Sequence, residues 1–299
     1  MRILLTGATG YVGSHLLRRL AQMGLAVTAI ARPRPHAELW QHELVQWRFA
    51  DLRDVAAVTD LALESAAVLH TAADHWGEME EVDRIATGAL AAGLAGSGKP
   101  FISTSATVVY GDTGPTPRGE DGAILSPLPS RAWRDVHDRQ VVALAAQGIR
   151  GAVIRPPSIH GYDGGFIRRR IDAARQTGVA TYVGDGGAMW SNVHLDDLAD
   201  LFLLILRNPG AAGIYNAASD EVIGRRMLAE LIAAIFGPGI VARSIDLTTA
   251  TAESGDFAAM GTINQVISSD RARRELAWSP SGPSLVEDLR CGSYQSSNA

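Results

Sequence analysis

The stretch RILLTGATGYVGSHLLRRL, Arg2 to Leu20, decides the fold. It opens with a short apolar run of strand length and closes with apolar residues at helical spacing (Val12, Leu16, Leu17, Leu20). Between them stand Gly7, Gly10 and Gly13. A strand that turns through glycine into a helix brings free backbone N–H groups and the positive end of the helix dipole to one place, where a pyrophosphate is favoured. Gly13, one turn on, lets the helix pack close to the sheet. A glycine triplet alone is a weak signal; one set between a strand and a helix is where the mechanism requires it.

The same alternation continues to residue 106. Strands are expected at Ile3 to Thr6, Ala26 to Ala31, Val45 to Phe49, Ala67 to Thr71 and Phe101 to Ser105. Helices are expected at Tyr11 to Met23, Val55 to Glu64 and Glu78 to Ala95. After a Pro/Gly-rich passage from Gly111 to Pro129, a helix from Arg131 to Gln147 leads into the strand Gly151 to Arg155. Short strands joined by helical crossovers predict an α/β fold, a Rossmann-like, doubly wound parallel sheet of six strands. Beyond Pro156-Pro157 the rhythm changes to helix (Phe166 to Gln176), short strand (Thr181 to Val183), helix (Asp196 to Leu206) and strand (Ile214 to Ala217). The expected division is a dinucleotide-binding domain of residues 1–158 and 192–217, a smaller, partly interleaved α/β substrate lobe of 159–191 and 218–293, and a flexible tail, 294–299.

With 299 residues, 46% hydrophobic and 20% charged, the chain has enough apolar surface for a large folded domain, which excludes a peptide module or a disordered chain. The net charge of −5 argues against a nucleic-acid partner, and Arg168-Arg169-Arg170 reads as the wet face of a helix. No apolar run is long enough to span a bilayer, and the chain opens on a strand rather than a secretory leader, so a cytoplasmic protein with no membrane partner is expected. The single cysteine, Cys291, excludes an internal disulfide and any multi-cysteine metal site; no metal is expected.

At the end of the second strand, where an acid would face a ribose 2′-hydroxyl, this chain has Arg32 and, two residues on, Arg34. Guanidinium pairs with a 2′-phosphate, so NADP(H) is favoured as cofactor and NAD(H) stays possible. Asp51-Leu52 follows the third strand and is placed to meet an adenine ring.

Together Thr6-Gly-x-x-Gly-x-x-Gly13, Asp51-Leu52, Thr71-Ala72-Ala73, FISTSATVVYG (101–111), Arg155-Pro156, VHLDDLA (193–199) and RELAWSP (274–280) resemble the extended short-chain dehydrogenase/reductases, the group that includes NAD-dependent epimerase/dehydratases. The resemblance implies that Gly7, Gly10, Tyr11, Val12 and Gly13, with Thr9, hold the pyrophosphate. It places Asp51 and Leu52 at the adenine, and Ala72, Ala73 and Pro156 with the remaining cofactor contacts. It also implies hydride transfer to or from a carbon bearing oxygen, with a tyrosine as acid/base and a lysine four residues later.

This chain departs from that pattern. Lys99 is its only lysine, and none of its six tyrosines precedes it by four residues. Counting back from Arg155, the tyrosine position falls on Ser130 and the lysine position on Arg134. Arg134 can hold ribose hydroxyls and supply positive charge, but a guanidinium cannot relay a proton. Ser130 has no pKa near neutrality; alternatively both are ordinary surface residues. The hydroxyl position that contacts the substrate oxygen is Ala106, flanked by Ser105 and Thr107. Candidate replacements for the missing acid are His75 with Trp76, Tyr110, His137, His160 and Tyr162, foremost His75 and His160, whose type titrates near neutrality.

The position four residues before His194, an arginine for the substrate diphosphate in nucleotide-sugar epimerases of the group, is Trp190. With Trp76, Tyr110, Tyr162 and Met189, it implies a small, uncharged, partly apolar substrate, unless Trp190 simply fills the lobe's core. The leading expectation is an NADP(H)-dependent oxidoreductase interconverting a carbonyl and an alcohol. A nucleotide-sugar epimerase/dehydratase and a non-catalytic dinucleotide-binding sensor remain as alternatives. The small-residue helices Glu78 to Ala95 and Arg131 to Gln147 match those that pair relatives as homodimers, or pack within the chain.

Overall fold

The computed structural model describes residues 2–32, 39–73, 78–125 and 128–298. Its chain divides into two compact units, residues 1–105, 133–154 and 202–214 in the first, and 106–132, 155–201 and 215–299 in the second. Residues 106–132, 155–158, 192–201 and 215–217, expected with the dinucleotide-binding domain, therefore group with the second unit.

The first unit is built on a parallel sheet: β1 (Arg2–Thr6), β2 (Val27–Ala31), β3 (Val45–Phe49), β4 (Ser65–His70), β5 (Pro100–Thr104) and β6 (Arg150–Arg155). Every neighbouring pair among these six is parallel. Gly213–Asn216 adds a seventh strand beside β6, giving the order Gly213–Asn216, β6, β5, β4, β1, β2, β3. Chain order reverses between β1 and β4, the switch point at which α/β sheets carry their ligands outside the carboxyl ends of the strands. Burial on both faces explains the sequence of β2: Val27 to Ala31 is buried along its whole length, and four of its five residues are apolar, as suits an interior parallel strand, whereas the edge strand β3 is partly exposed.

The crossovers are α1 (Tyr11–Gln22), α2 (Val55–Leu63), α3 (Met79–Leu94) and α4 (Trp133–Ala143). Helix α1 buries Leu16, Leu17, Leu20 and Ala21, one face of the helical repeat, and ends at Gly24, whose φ of +76° suits glycine. Asp54 caps α2, its carboxylate accepting from the Ala57 N–H at 3.1 Å. Helices α2 and α3 touch through Gly93, where a Cβ would lie 2.4 Å from the Thr59 carbonyl oxygen. The helix expected from Arg131 begins instead at Trp133 and tightens into a 3-10 turn at Leu144–Gln147.

The second unit contains Ser158–His160, parallel to Met189–His194, which pairs antiparallel with Val222–Gly224. It also holds α5 (Gly165–Thr177); α6 (Leu195–Arg207) starts in this unit, and α7 (Arg225–Phe236) lies wholly within it. Its core joins Ile167 and Ile171 of α5 to Leu228 and Ile232 of α7. Within the expected tail, Ser293–Asn298 forms a 3-10 helix, and Tyr294 is fully buried with its hydroxyl donating to the Gly164 carbonyl at 2.9 Å. No helix among the described residues is long and apolar enough to cross a membrane.

Gly93→Ala is expected to lower stability by about 1–3 kcal/mol, the usual range for overpacking a tight contact. Gly88→Ala, on the same helix with open space at its Cβ, should leave stability unchanged or raise it. Urea midpoints of the two variants check both; equal effects would contradict the helix contact.

Candidate active site

At the carboxyl end of β1 the chain turns through Gly7, whose φ is +70° and whose Cβ would lie 2.6 Å from the Ala72 nitrogen. A side chain there is excluded twice, by conformation and by the backbone after β4. At Gly13 a Cβ would meet the Gly7 carbonyl oxygen at 2.1 Å, so α1 begins in direct backbone contact with the turn. The Gly10 N–H closes that turn on the Gly7 carbonyl at 2.8 Å. Gly10 caps α1 without a side chain, and no acid lies in the first turn. The helix therefore presents its amide dipoles without a built-in anion, a cradle that fits a dinucleotide pyrophosphate. Thr9 and Gly10 are exposed beside it, and Tyr11 and Val12 are half-buried.

Arg32 follows β2 directly, is exposed, and forms no ion pair among the described residues. Asp51 is exposed after β3, its carboxylate accepting from the Arg53 N–H at 2.8 Å, with Leu52 half-buried beside it. Ala72 is half-buried and Ala73 exposed at the end of β4. Arg34, His75 and Trp76 lie outside the described residues.

Under the glycine turn runs a buried polar chain that no sequence motif announced. The Thr6 hydroxyl lies 2.7 Å from His70 Nδ1, and His70 Nε2 lies 3.1 Å from Asp83 Oδ1. Burial pushes the Asp83 carboxyl up, but the His70 hydrogen bond and charge, followed by the Arg134 charge, hold it below its ordinary value. Arg134, on α4, is buried: its Nη2 is 3.9 Å from Asp83 Oδ2 and 3.1 Å from the Met79 sulfur, and its guanidinium carbon lies 4.8 Å from the Trp133 ring centroid. Arg134 is thus an interior fixed charge rather than a surface helix residue. One turn on, His137 is buried at 3.0 Å from the Thr87 hydroxyl, and burial pushes its pKa down.

The expected catalytic hydroxyls are placed unequally. Ser105 is buried and donates to Asp138 Oδ2 at 2.9 Å. In the second unit, the Ser130 hydroxyl and N–H both donate to the Asp256 carboxylate at 2.9 Å, and these bonds hold the Asp256 pKa below its ordinary value. Both serine protons are committed to carboxylates, which leaves neither poised to donate. Thr107, the first residue of the 3-10 helix Thr107–Tyr110, forms no side-chain hydrogen bond among the described residues. Pro156 is buried and its carbonyl accepts the Thr107 N–H at 3.0 Å.

Several residues expected to face substrate do structural work within the second unit. Tyr110 is 1% exposed; its hydroxyl donates to Asn216 Oδ1 at 2.8 Å, and Arg155 lies over its ring. His160 is also 1% exposed, with Nδ1 at 3.3 Å from Asp288 and its ring edge-on to His194. Tyr162 is exposed, holds a positive φ of 53°, and donates its hydroxyl to Asp196 at 3.0 Å. Met189 is exposed at the start of its strand. Trp190 is no bare apolar wall: its indole N–H donates to the Ile263 carbonyl at 3.0 Å, and the Arg225 guanidinium carbon lies 3.4 Å from its ring centroid.

Comparison with known proteins matches residues 3–218 to the NAD dependent epimerase/dehydratase family. An uncharacterized protein of Schizosaccharomyces pombe is 28% identical over 98% of this chain and 100% of its own length. The 2-alkyl-3-oxoalkanoate reductase of Stenotrophomonas maltophilia is 28% identical over 84% of this chain and 80% of its own. Among solved structures, a double mutant of the dTDP-glucose 4,6-dehydratase DesIV from Streptomyces venezuelae, with NAD bound, superposes with a TM-score of 0.83 over 100% of this chain and 98% of that one, at 18% identity.

Burial pushes down the pKa of both His137 and His194, the nearby charge of His160 adding to the effect at His194. Their folded values lie below the unfolded value of about 6.5, so below that pH the unfolded chain binds more protons. Stability from these groups is therefore present above about pH 6.5 and lost as the pH falls through the lowered folded values. Denaturant midpoints measured from pH 8 to 5 should drop on acidification, and His137→Gln should flatten the drop; a midpoint rising toward pH 5 would contradict the placement.

Proposed function

Because the chain belongs to the NAD dependent epimerase/dehydratase family, we propose that it is an NADP(H)-dependent oxidoreductase interconverting a carbonyl and an alcohol on a small, partly apolar metabolite. The observation that carries this reading is the cradle at Gly7, Gly10 and Gly13, closed to side chains and free of any built-in anion, with an exposed Arg32 that forms no ion pair among the described residues at the end of the next strand. A nicotinamide dinucleotide bound there supplies the hydride; the chain supplies orientation and field.

In the first unit, the backbone amides of Gly10 to Gly13 bind the pyrophosphate and Arg32 pairs with the 2′-phosphate. Arg134 stands at the position of the lysine and acts as a charge, since a guanidinium retains its proton at neutral pH. The Asp83 and His70 pair fixes that charge from below. Of the three candidate hydroxyls, that of Thr107, itself buried in the second unit, is the one whose proton is not committed to a carboxylate, unlike those of Ser105 and Ser130. The name of the Stenotrophomonas maltophilia relative, a 3-oxoalkanoate reductase, supports carbonyl reduction on a molecule with an alkyl part.

Calorimetry with NADPH and NADH tests the cofactor. NADPH should bind more tightly, and Arg32→Ala should weaken NADPH by about 10–100-fold, the worth of a charge-assisted contact, while leaving NADH unchanged. Equal affinities with no effect of Arg32→Ala would remove the NADP(H) preference. Saturable binding of UDP-glucose or dTDP-glucose would favour the nucleotide-sugar alternative, and tight NADPH binding without hydride exchange to any carbonyl would favour the sensor.

A further inference from the structure

Arg225 opens α7 at 6% exposure, and its side chain forms no hydrogen bond or ion pair among the described residues. Its Nε is sealed from solvent without a partner. What touches the guanidinium is the Trp190 ring, at 3.4 Å. Arg170, on α5, repeats the pattern: Nη2 donates to the Thr181 carbonyl at 2.6 Å, Nε is buried and unpartnered, and Phe166 lies 5.7 Å from the guanidinium carbon. Burial drives the Arg225 pKa well below its ordinary value, with the positive charge of Arg170 adding to the effect. Burial also pushes Arg170 down to about 10.

The same helix shows how this unit treats a cation that needs only neutralising. Arg168 is held by Asp163 at 2.9 Å and by Asp172 at 2.6 Å. Among the described residues no acid is supplied to Arg170 or Arg225, although buried charge is tolerated when paired. The first turn of α7 carries no acid and Gly224 caps it without a side chain. Arg226 there is exposed and paired with Glu230 at 2.8 Å, so Arg225 is the unneutralised cation at the end where the helix dipole favours anions.

We propose that Arg225 and Arg170, with the Trp190 ring as a stacking platform, form a subsite for an anionic group of the ligand, a carboxylate or a phosphate. Trp190 fixes the plane of Arg225 and leaves its terminal N–H groups as a flat, two-toothed donor, the geometry that carboxylate and phosphate oxygens accept. On this proposal the substrate carries an anion, where Trp190 without Arg225 over its face implied an uncharged one. Met189, exposed at the start of the same strand, adds an apolar surface for the remainder of the molecule. That this anion belongs to the metabolite undergoing reduction rests on the proposed oxidoreductase function; the anion subsite itself does not.

Thermal melting of the full chain tests this in chloride at constant ionic strength, with NADPH saturating the glycine cradle, under titration with inorganic phosphate or butyrate. The wild type should melt higher with at least one of the two, saturably. A response to phosphate alone identifies a phosphate group, and to butyrate alone or to both, a carboxylate. Arg225→Met should melt at or above the wild type in chloride, because it removes an unneutralised charge, and should bind the anion at least about tenfold more weakly. Arg168→Met, whose partners are acids, should keep the response. No anion response in the wild type, or an undiminished response in Arg225→Met, overturns the proposal; if Arg225→Met does not fold, the wild-type titration still decides. An anion response in a protein that fails to bind NADPH would leave the subsite standing and remove the oxidoreductase reading.

Discussion

The structure depends on a backbone contact: the Gly13 Cα sits so close to the Gly7 carbonyl that a methyl group would be 2.1 Å from that oxygen. This approach lets α1 start immediately beyond β1, so its uncapped amides point outward rather than into neighbouring side chains. Closing the turn on Ala72 ties the same loop to the strand beyond the switch point. Sheet order, loop and helix dipole thus converge on a spot of positive potential built from main chain alone.

Beneath that spot the unit carries interior charge. Thr6, His70, Asp83 and Arg134 connect β1, β4, α3 and α4 by contacts of 2.7, 3.1 and 3.9 Å. A carboxylate in this position offsets the guanidinium and orients it, as a buried ionic group requires. With Lys99 as its only lysine, the chain has on α4 a guanidinium, which keeps its proton at neutral pH. On the proposed function, electrostatic support falls to Arg134 and proton transfer to another group.

What the sequence revealed follows from the range of each interaction. The β1 turn and α1 were readable because every requirement is local: strand, glycines and helical repeat lie within residues 2–20. The remaining crossovers were readable by periodicity, with end shifts where a 3-10 turn replaced the last helical turn at Leu144–Gln147. Long-range choices were not. Ser130 meets Asp256 across 126 positions, and Trp190 meets Arg225 in a later element of the second unit, so spacing carried no sign of either. Tyr110 and His160 had the right chemistry for a site, yet residue type does not say which way a side chain faces, and both are interior. Near the chain's end, the burial of Tyr294 within the 3-10 helix Ser293–Asn298 was likewise not legible from residue type. The one local hint missed was the pair Arg225-Arg226 at a helix start, where acids are favoured.

The account stands on the amides at the beginning of α1. Backbone NMR of the isotope-labelled protein during NADPH titration observes them directly. The Gly10, Tyr11, Val12 and Gly13 amide resonances should move together and saturate at one equivalent, with smaller shifts elsewhere. Resonances of these four that stay fixed through saturating NADPH, whether or not others move, would contradict it.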